Sequence, residues 1–465
     1  VHPYYIHTVI KKAWLLLLLC SPLALKGGDI YWNLNTNGNW DVNANWSPAT
    51  APGSNDGAFF TNRAASSITV TLAAGNTQLK AIDFNATNAY AIAGGATSAL
   101  LLNVAGTNFS YNNSGNVTID VPIVNKQDSI WAGNGSGLLT VNGAVSMGNS
   151  GRTLTKQGSF TLVLTNDNNF GGGLIIEGGT VIGKGQNNAF GVQPITLKGG
   201  TGVLDGITTP TTATWSMQGG SVTSSNSAAG IAGTVALVSN TTFTTLSDLN
   251  ISGAISGSGG LTKVGAAILT LSGTAANTYT GLTTINEGTL ILNKTAGVNA
   301  IAGNLQASNS TVQLNAANQI ADTSSVSLFQ NTFFKLNGFN ESVAGLNISG
   351  NNVTIDFGTT GSSILMASSF NLGTFNLNIF NWTGSATQTG LTDQFKTTNY
   401  ISFMTNRISF YSDAGTTLMG DGRTVSVPVA GGLYELIPIP EPSTLSIGLI
   451  FFLGLSAALR RRFKS

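Results

Sequence analysis

Leu154 to Val181 reads LTKQGSFTLVLTNDNNFGGGLIIEGGTV, and Leu261 to Leu290 reads LTKVGAAILTLSGTAANTYTGLTTINEGTL. With a short insertion in the second stretch, Leu154-Thr155-Lys156 falls on Leu261-Thr262-Lys263, Gly158 on Gly265, and Leu162 and Leu164 on Leu269 and Leu271. Phe170 falls on Tyr279, Gly172 on Gly281, Ile176 on Ile285, and Gly179-Thr180 on Gly288-Thr289. Each copy holds two alternating runs, such as Ile268-Leu269-Thr270-Leu271 and Thr283-Thr284-Ile285, separated by Gly and Asn turn residues. Runs this short cannot bury an apolar face alone, whereas stacking successive turns of chain can. The repeats therefore predict an all-β fold, a right-handed parallel β-helix or solenoid. Its signature residues are Lys156, Gly158, Gly172, Lys263, Gly265, Tyr279, Gly281 and Gly288. Because Lys156 and Lys263 hold one repeat position, they are assigned to the rung, not to an active site.

Weaker rungs extend to both sides. Val117 to Val121 and Leu138 to Val141 alternate before the first copy; Ser310 to Leu314, Phe334 to Leu336 and Val353 to Phe357 follow the second. A solenoid over 65–390 with rungs of ~20 to 25 residues has roughly 13 to 16 turns. At ~4.8 Å per strand it forms a rod on the order of 60 to 80 Å long. Asn166-Asp167-Asn168-Asn169 marks a turn suited to stacked side-chain amides. Leu271→Asp is expected to be costly and Asn277→Asp, in a turn, mild. Residues 28–64 hold Trp32, Trp40, Trp46, Phe59 and Phe60, expected to cap the first rung; the other use of such rings is a sugar-stacking platform. Over 391–437 the pattern shortens to Ile401-Ser402-Phe403, Ile408-Ser409-Phe410 and Val425-Ser426-Val427, read as a terminal β cap.

Composition narrows the chemistry. Charged residues are 8% of the chain, there are 58 glycines, and net charge is +1. Nucleic acid is therefore not an electrostatically favoured partner. His2, His7 and Cys20 are the only residues of their types, and all lie at the front. The body thus lacks thiol nucleophiles, Ser-His-Asp triads and His or Cys zinc sites. Carboxylates remain as possible catalysts or Ca²⁺ ligands: Asp120 and Asp128 with Lys126, Asp413 with Asp421, and Asp41 with Asp56. Read as turn residues, they leave no catalytic, cofactor-binding or metal residue assigned. The rival reading is a secreted β-helix polysaccharide lyase or glycoside hydrolase acting through such acids.

The two copies resemble the passenger-associated transport repeat, also called the autotransporter-associated β-strand repeat. Its pattern is Leu-Thr-Lys-x-Gly, Leu-x-Leu, Asn-x-Tyr-x-Gly and Gly-Thr-Leu. The resemblance implies a β-helical passenger and no particular activity. The first copy departs from it with Phe170 and Gly171. The chain ends differ from the body. Lys11 and Lys12 precede the apolar block Ala13 to Leu19, the layout of a signal peptide over 1–27. Leu19 before Cys20 argues against lipidation. At 438–465, Pro440-Glu441-Pro442 precedes an uncharged run from Ser443 to Leu459 and then Arg460-Arg461-Arg462. The run can just span a bilayer, with the basic end left inside. This order resembles the PEP-CTERM sorting signal. The resemblance implies an exosortase-type processing protease, transient anchoring in the inner membrane by one transmembrane helix, and a surface or extracellular product, with exopolysaccharide as a further partner. One apolar helix in that place also argues against a self-translocating C-terminal barrel. The resulting expectation is an exported, non-enzymatic, structural or adhesive solenoid without a cofactor.

Overall fold

The structure is a computed structural model that describes residues 27–439 apart from 210, 387, 391, 402–405, 421 and 422. The leader expected over 1–27 and the tail over 438–465 lie almost wholly outside the described residues. Pro440, Glu441, Pro442, Arg460, Arg461 and Arg462 are among those outside. Among the described residues no helix is long and apolar enough to cross a membrane.

Short alternating strands dictate the architecture. Each has residues that point alternately in and out, as in Ile68, Val70 and Leu72 buried between exposed or half-buried neighbours. The inward rows meet on the axis of a parallel β-solenoid of about 15 turns. Successive rungs pair in parallel and in register: Leu174 lies opposite Ile195, Trp215 opposite Val235 and Val235 opposite Ile255.

The rungs have three faces. One is a 12-stranded sheet that ends at Ile255–Gly257. The second runs nearly the whole rod, from Gly38–Asn39 against Ser67–Leu72 to Ile364–Asn371 against Gln394–Thr397. The third is divided between a 4-stranded sheet near the N-terminus and a 9-stranded sheet that begins at Ala229–Ile231. Beyond Gly257 the first face continues only as loops. Side chains such as Tyr279, Ile301 and Ile320, all buried, keep the axis filled there.

Both ends switch from parallel to antiparallel pairing. At the front, Trp46–Ser47 lies antiparallel to Asp29–Trp32. At the back, Thr424–Val429 and Leu433–Pro438 form an antiparallel pair, and the latter also lies antiparallel to Gln394–Thr397. An antiparallel edge breaks the rung repeat that would otherwise recruit another chain. Aromatic rings fill the first turns: Phe60 stacks on Phe84 at 4.7 Å between centroids, and Phe109 on Trp131 at 4.7 Å. Each such ring fully buried contributes about 1.5–3 kcal/mol.

Candidate functional site

The repeat signature turns out to build corners. Thr153–Lys156 and Thr161–Leu164 lie on different faces, and the chain bends between them at Gly158, whose φ is 75°. A Cβ there would lie 2.0 Å from the Gly133 carbonyl oxygen of the rung before. Gly265 occupies the same place in the second copy, with φ 89° and the Thr245 oxygen at 2.4 Å. Glycine is required because stacked corners touch and because the backbone is left-handed.

Each corner encloses a lysine. Lys156 is fully buried, and its Nζ donates to the carbonyls of Gly158 at 2.8 Å and Gly178 at 2.9 Å while lying 3.8 Å over the Phe160 ring. Lys263 is also fully buried; its Nζ donates to Gly265 O at 2.7 Å, Glu287 O at 2.9 Å and Thr245 Oγ1 at 2.9 Å. One ammonium thus ties a corner to the corner of the next rung. Burial pushes Lys156 down to about 7 and Lys263 to about 8, the nearby charges of Glu287 and Asp248 opposing the shift at Lys263. Neither Nζ is reachable from solvent, so these lysines act on the rung.

A second device was missed in the sequence. The Asn168 carboxamide accepts from Val145 N at 2.7 Å and donates to Ala189 O at 2.7 Å. At the equivalent position Asn277, 2% exposed, accepts from Ile255 N at 2.9 Å and donates to Ala300 O at 2.8 Å. The expectation that Asn277→Asp is mild is therefore corrected: the residue bridges three rungs, and a carboxylate has no proton for the Ala300 carbonyl. The amide stack expected at Asn166 to Asn169 is corrected too. There, Asn166 donates to Asn142 O and Asp167 accepts from Asn188 N, both backbone partners. A side-chain ladder does form further along, where Asn352 donates to Asn331 and Asn331 to Asn309, each at 3.0 Å. All three have φ between 49° and 57°. Two more buried groups had no sequence signal: Lys294, bonded to Ser272 O, and Glu341, which accepts from Gln319, Ile320 and Ser342 N–H groups. Burial raises Glu341 to about 7 against those hydrogen bonds.

The acids named as catalytic candidates do not converge. Asp120 follows Val117–Ile119 on the second face, and Lys126 and Asp128 lie at the opposite end of Ile123–Asn125. Asp120 accepts from Asn142 Nδ2 at 2.7 Å and Asp128 from Thr153 N at 2.8 Å, so both serve the next rung. Asp56 accepts from Gly28 and Gly53 N–H groups, while Asp41 borders a shallow cleft beside Trp40 and Gln78. Asp413 is held at about 2 by the Thr417, Thr416 and Gly415 donors of its own turn, and Asp421 lies outside the described residues. Among the described residues no group of three or more His, Cys, Asp or Glu stands close enough to hold a metal ion.

The aromatic segment divides by strand parity. Trp32, Trp40, Trp46 and Phe60 are buried and packed on one another, with Trp40 and Trp46 4.7 Å apart. They form the cap, and no sugar can stack on them. Tyr31 and Phe59 face outward.

These features define a parallel β-solenoid whose repeated unit is a lysine-tied corner. The family model described as passenger-associated-transport-repeat matches residues 154–182 and 261–292, the two copies that carry those lysines. A relative, the adhesin BmaC autotransporter of Brucella suis biovar 1 (strain 1330), is 34% identical over 163 residues, covering 32% of this chain. The chain spans 4% of that relative's length. No solved structure matches.

Proposed function

We propose that the protein is an exported, non-enzymatic solenoid that serves a structural or adhesive role at the cell surface. The observation that carries this reading is the use of the signature residues. Lys156, Lys263, Asn168 and Asn277 each donate a hydrogen bond to a neighbouring rung. Such a chain builds a stiff, neutral rod on which outward residues can vary freely. The similarity to a stretch of an autotransporter adhesin supports the same reading. The order Pro440-Glu441-Pro442, apolar run, Arg460-Arg461-Arg462 supports sorting through an exosortase-type protease, with cleavage near 440–443 and release from the inner membrane.

The test is surface shaving of intact cells that carry an exosortase, followed by mass spectrometry and an attachment assay against a deletion strain. Body peptides such as those around Lys263 should be released, peptides ending at Ser465 should be missing, and the deletion should lower attachment. Retention of the whole chain in the cytoplasm, or attachment unchanged on deletion, overturns the reading.

A further inference from the structure

The alternation that buries Ile30 and Trp32 turns Asp29 and Tyr31 outward on the first strand. Register then extends an outward group across neighbouring rungs: Asp29 lies opposite Gly57, Tyr31 opposite Phe59, Phe59 opposite Asp83, and Asp83 opposite Ser110. Tyr31 is 39% exposed, and its ring lies 5.2 Å from that of Phe59 with 33° between the planes. Gly57 makes room for this arrangement, since a Cβ there would come within 2.6 Å of the Phe59 ring. The Phe59 ring therefore leans toward Gly57, the residue opposite Asp29, while Phe59 itself lies opposite Asp83. Asp83 is half-buried. Burial and the charge of Asp29 hold its carboxyl above the usual range, against the hydrogen bond with Ser110. Among the described residues neither Asp29 nor Asp83 takes part in an ion pair, unlike Asp205 with Lys184 and Glu177 with Lys198.

We infer that Asp29, Tyr31, Phe59, Asp83 and Ser110 form a binding site for a pyranose unit of an uncharged polysaccharide. The inference rests on the adhesive reading above and names its partner class. Stacking needs a ligand with an apolar C–H face, and an open tyrosine ring supplies the matching surface. Carboxylates accept hydrogen bonds, so the ligand must bring donors around the rim of that face; the Ser110 hydroxyl, whose proton goes to Asp83, can accept a further one. A pyranose combines a flat C–H face with equatorial hydroxyl donors. Ligand cations bind aromatic groups best when several rings surround the charge. Here the two rings pack against each other and leave one outer side open, which suits a flat ring. The site is shallow, so affinity comes from several units of one polymer engaging several copies of the chain.

The experiment uses the full chain with methyl β-glucoside, methyl α-mannoside and a soluble neutral β-glucan, read by saturation-transfer NMR and by retention on the immobilised glucan at low and high salt. Saturation transfer from the Tyr31 ring to sugar C–H protons is expected, with retention insensitive to salt. Tyr31→Ala should lower retention about tenfold or more at unchanged melting temperature, and Asp83→Asn should lower it severalfold. Gly57→Ala, which displaces the Phe59 ring without touching a polar group, should act like Tyr31→Ala. Three results each overturn the assignment: binding to none of the three probes by folded protein, retention unchanged in both Tyr31→Ala and Asp83→Asn, or preferential salt-sensitive capture of an arginine-rich peptide, which makes the patch a cation site. Its failure is separable from failure of the adhesive reading. Cells that attach equally well with Tyr31→Ala keep the adhesin and lose this site, whereas a purified chain that binds glucan but never reaches the surface does the reverse.

Discussion

The two repeat copies share a sequence pattern but not a place in the prism. In the first, Thr153–Lys156 lies in the 12-stranded sheet and Thr161–Leu164 on the second face. In the second, Leu261–Val264 lies on that second face and Ile268–Gly273 in the 9-stranded sheet. The unit has rotated by one face. What survives the rotation is the corner: glycine with positive φ, buried lysine, bridging asparagine. What differs is the packing partner. Lys156 rests on the Phe160 ring, and Lys263 reaches the Thr245 hydroxyl instead. Phe170 is followed four residues later by Leu174, while Tyr279 is followed by Thr283, whose hydroxyl meets the tyrosine hydroxyl at 2.6 Å. The repeat is therefore a corner-building module that occupies two different edges of the rod, and its side-chain pairs change together.

The strongest test of equivalence puts a charge on the axis. Leu164 and Leu271 are both fully buried at matching positions, so Leu164→Asp and Leu271→Asp should each cost about 4 kcal/mol or more in chemical denaturation. A difference of several kcal/mol between them would break the equivalence, and tolerance of both would contradict the buried axis itself. Next come the bridging amides. Asn168→Asp and Asn277→Asp should each lose about 2–3 kcal/mol, because a buried charge then faces an unpaired carbonyl. Hydrogen exchange should speed up at Val145 and Ile255 respectively, the N–H groups each amide holds.

The lysines separate the copies by pH. An unfolded lysine keeps its proton to about 10.5, while folded Lys156 releases it near 7 and Lys263 near 8. Within each window the unfolded chain binds the extra proton, so stability rises with pH there and levels off below the folded value. Glu341 acts below that range with the opposite sign: its value is raised from 4.5 to about 7, so its contribution falls as pH climbs between them. Thermal midpoints from pH 6 to 10 should climb by several degrees, and Lys156→Met should flatten the climb from pH 7 upward. Lys263→Met should flatten it only above pH 8. Identical profiles for both variants would remove the distinction drawn between the two cages. The smallest effect concerns the exchanged pair. Phe170→Tyr leaves a buried hydroxyl facing Leu174 and should cost about 1–2 kcal/mol, and adding Leu174→Thr should recover most of it. Additive losses would show that the Tyr279–Thr283 contact cannot be transplanted.

The aligned repeats made the β-solenoid legible because alternation and corner glycines are local signals, each carried by a few consecutive residues. The site was less legible. Recurrence at one repeat position assigns Lys156 and Lys263 to the rung, and both are buried and bonded to the next corner. Asn277 was misread, since its neighbours Thr274, Ala275 and Ala276 look like a solvated turn, and only the rungs before and after it supply the Ile255 and Ala300 partners that bury it. The aromatic segment was seen as one cluster, although parity along Asp29–Trp32 sends Trp32 inward and Tyr31 outward.

The sequence by itself determined the strand pattern, the glycine corners, the near absence of charge and the lysine recurrence, because each follows from residue type and short spacing. The tertiary structure decided which face each copy occupies, which amides cross between rungs, and which rings close the end of the rod rather than face the solvent. Those outcomes depend on how the spacing of the two copies falls against the rungs between them: from Leu154 the first face recurs at Leu174, Ile195, Trp215, Val235 and Ile255, so Leu261 has already turned the corner onto the second face. That phase is a property of the stack and is written in no single rung.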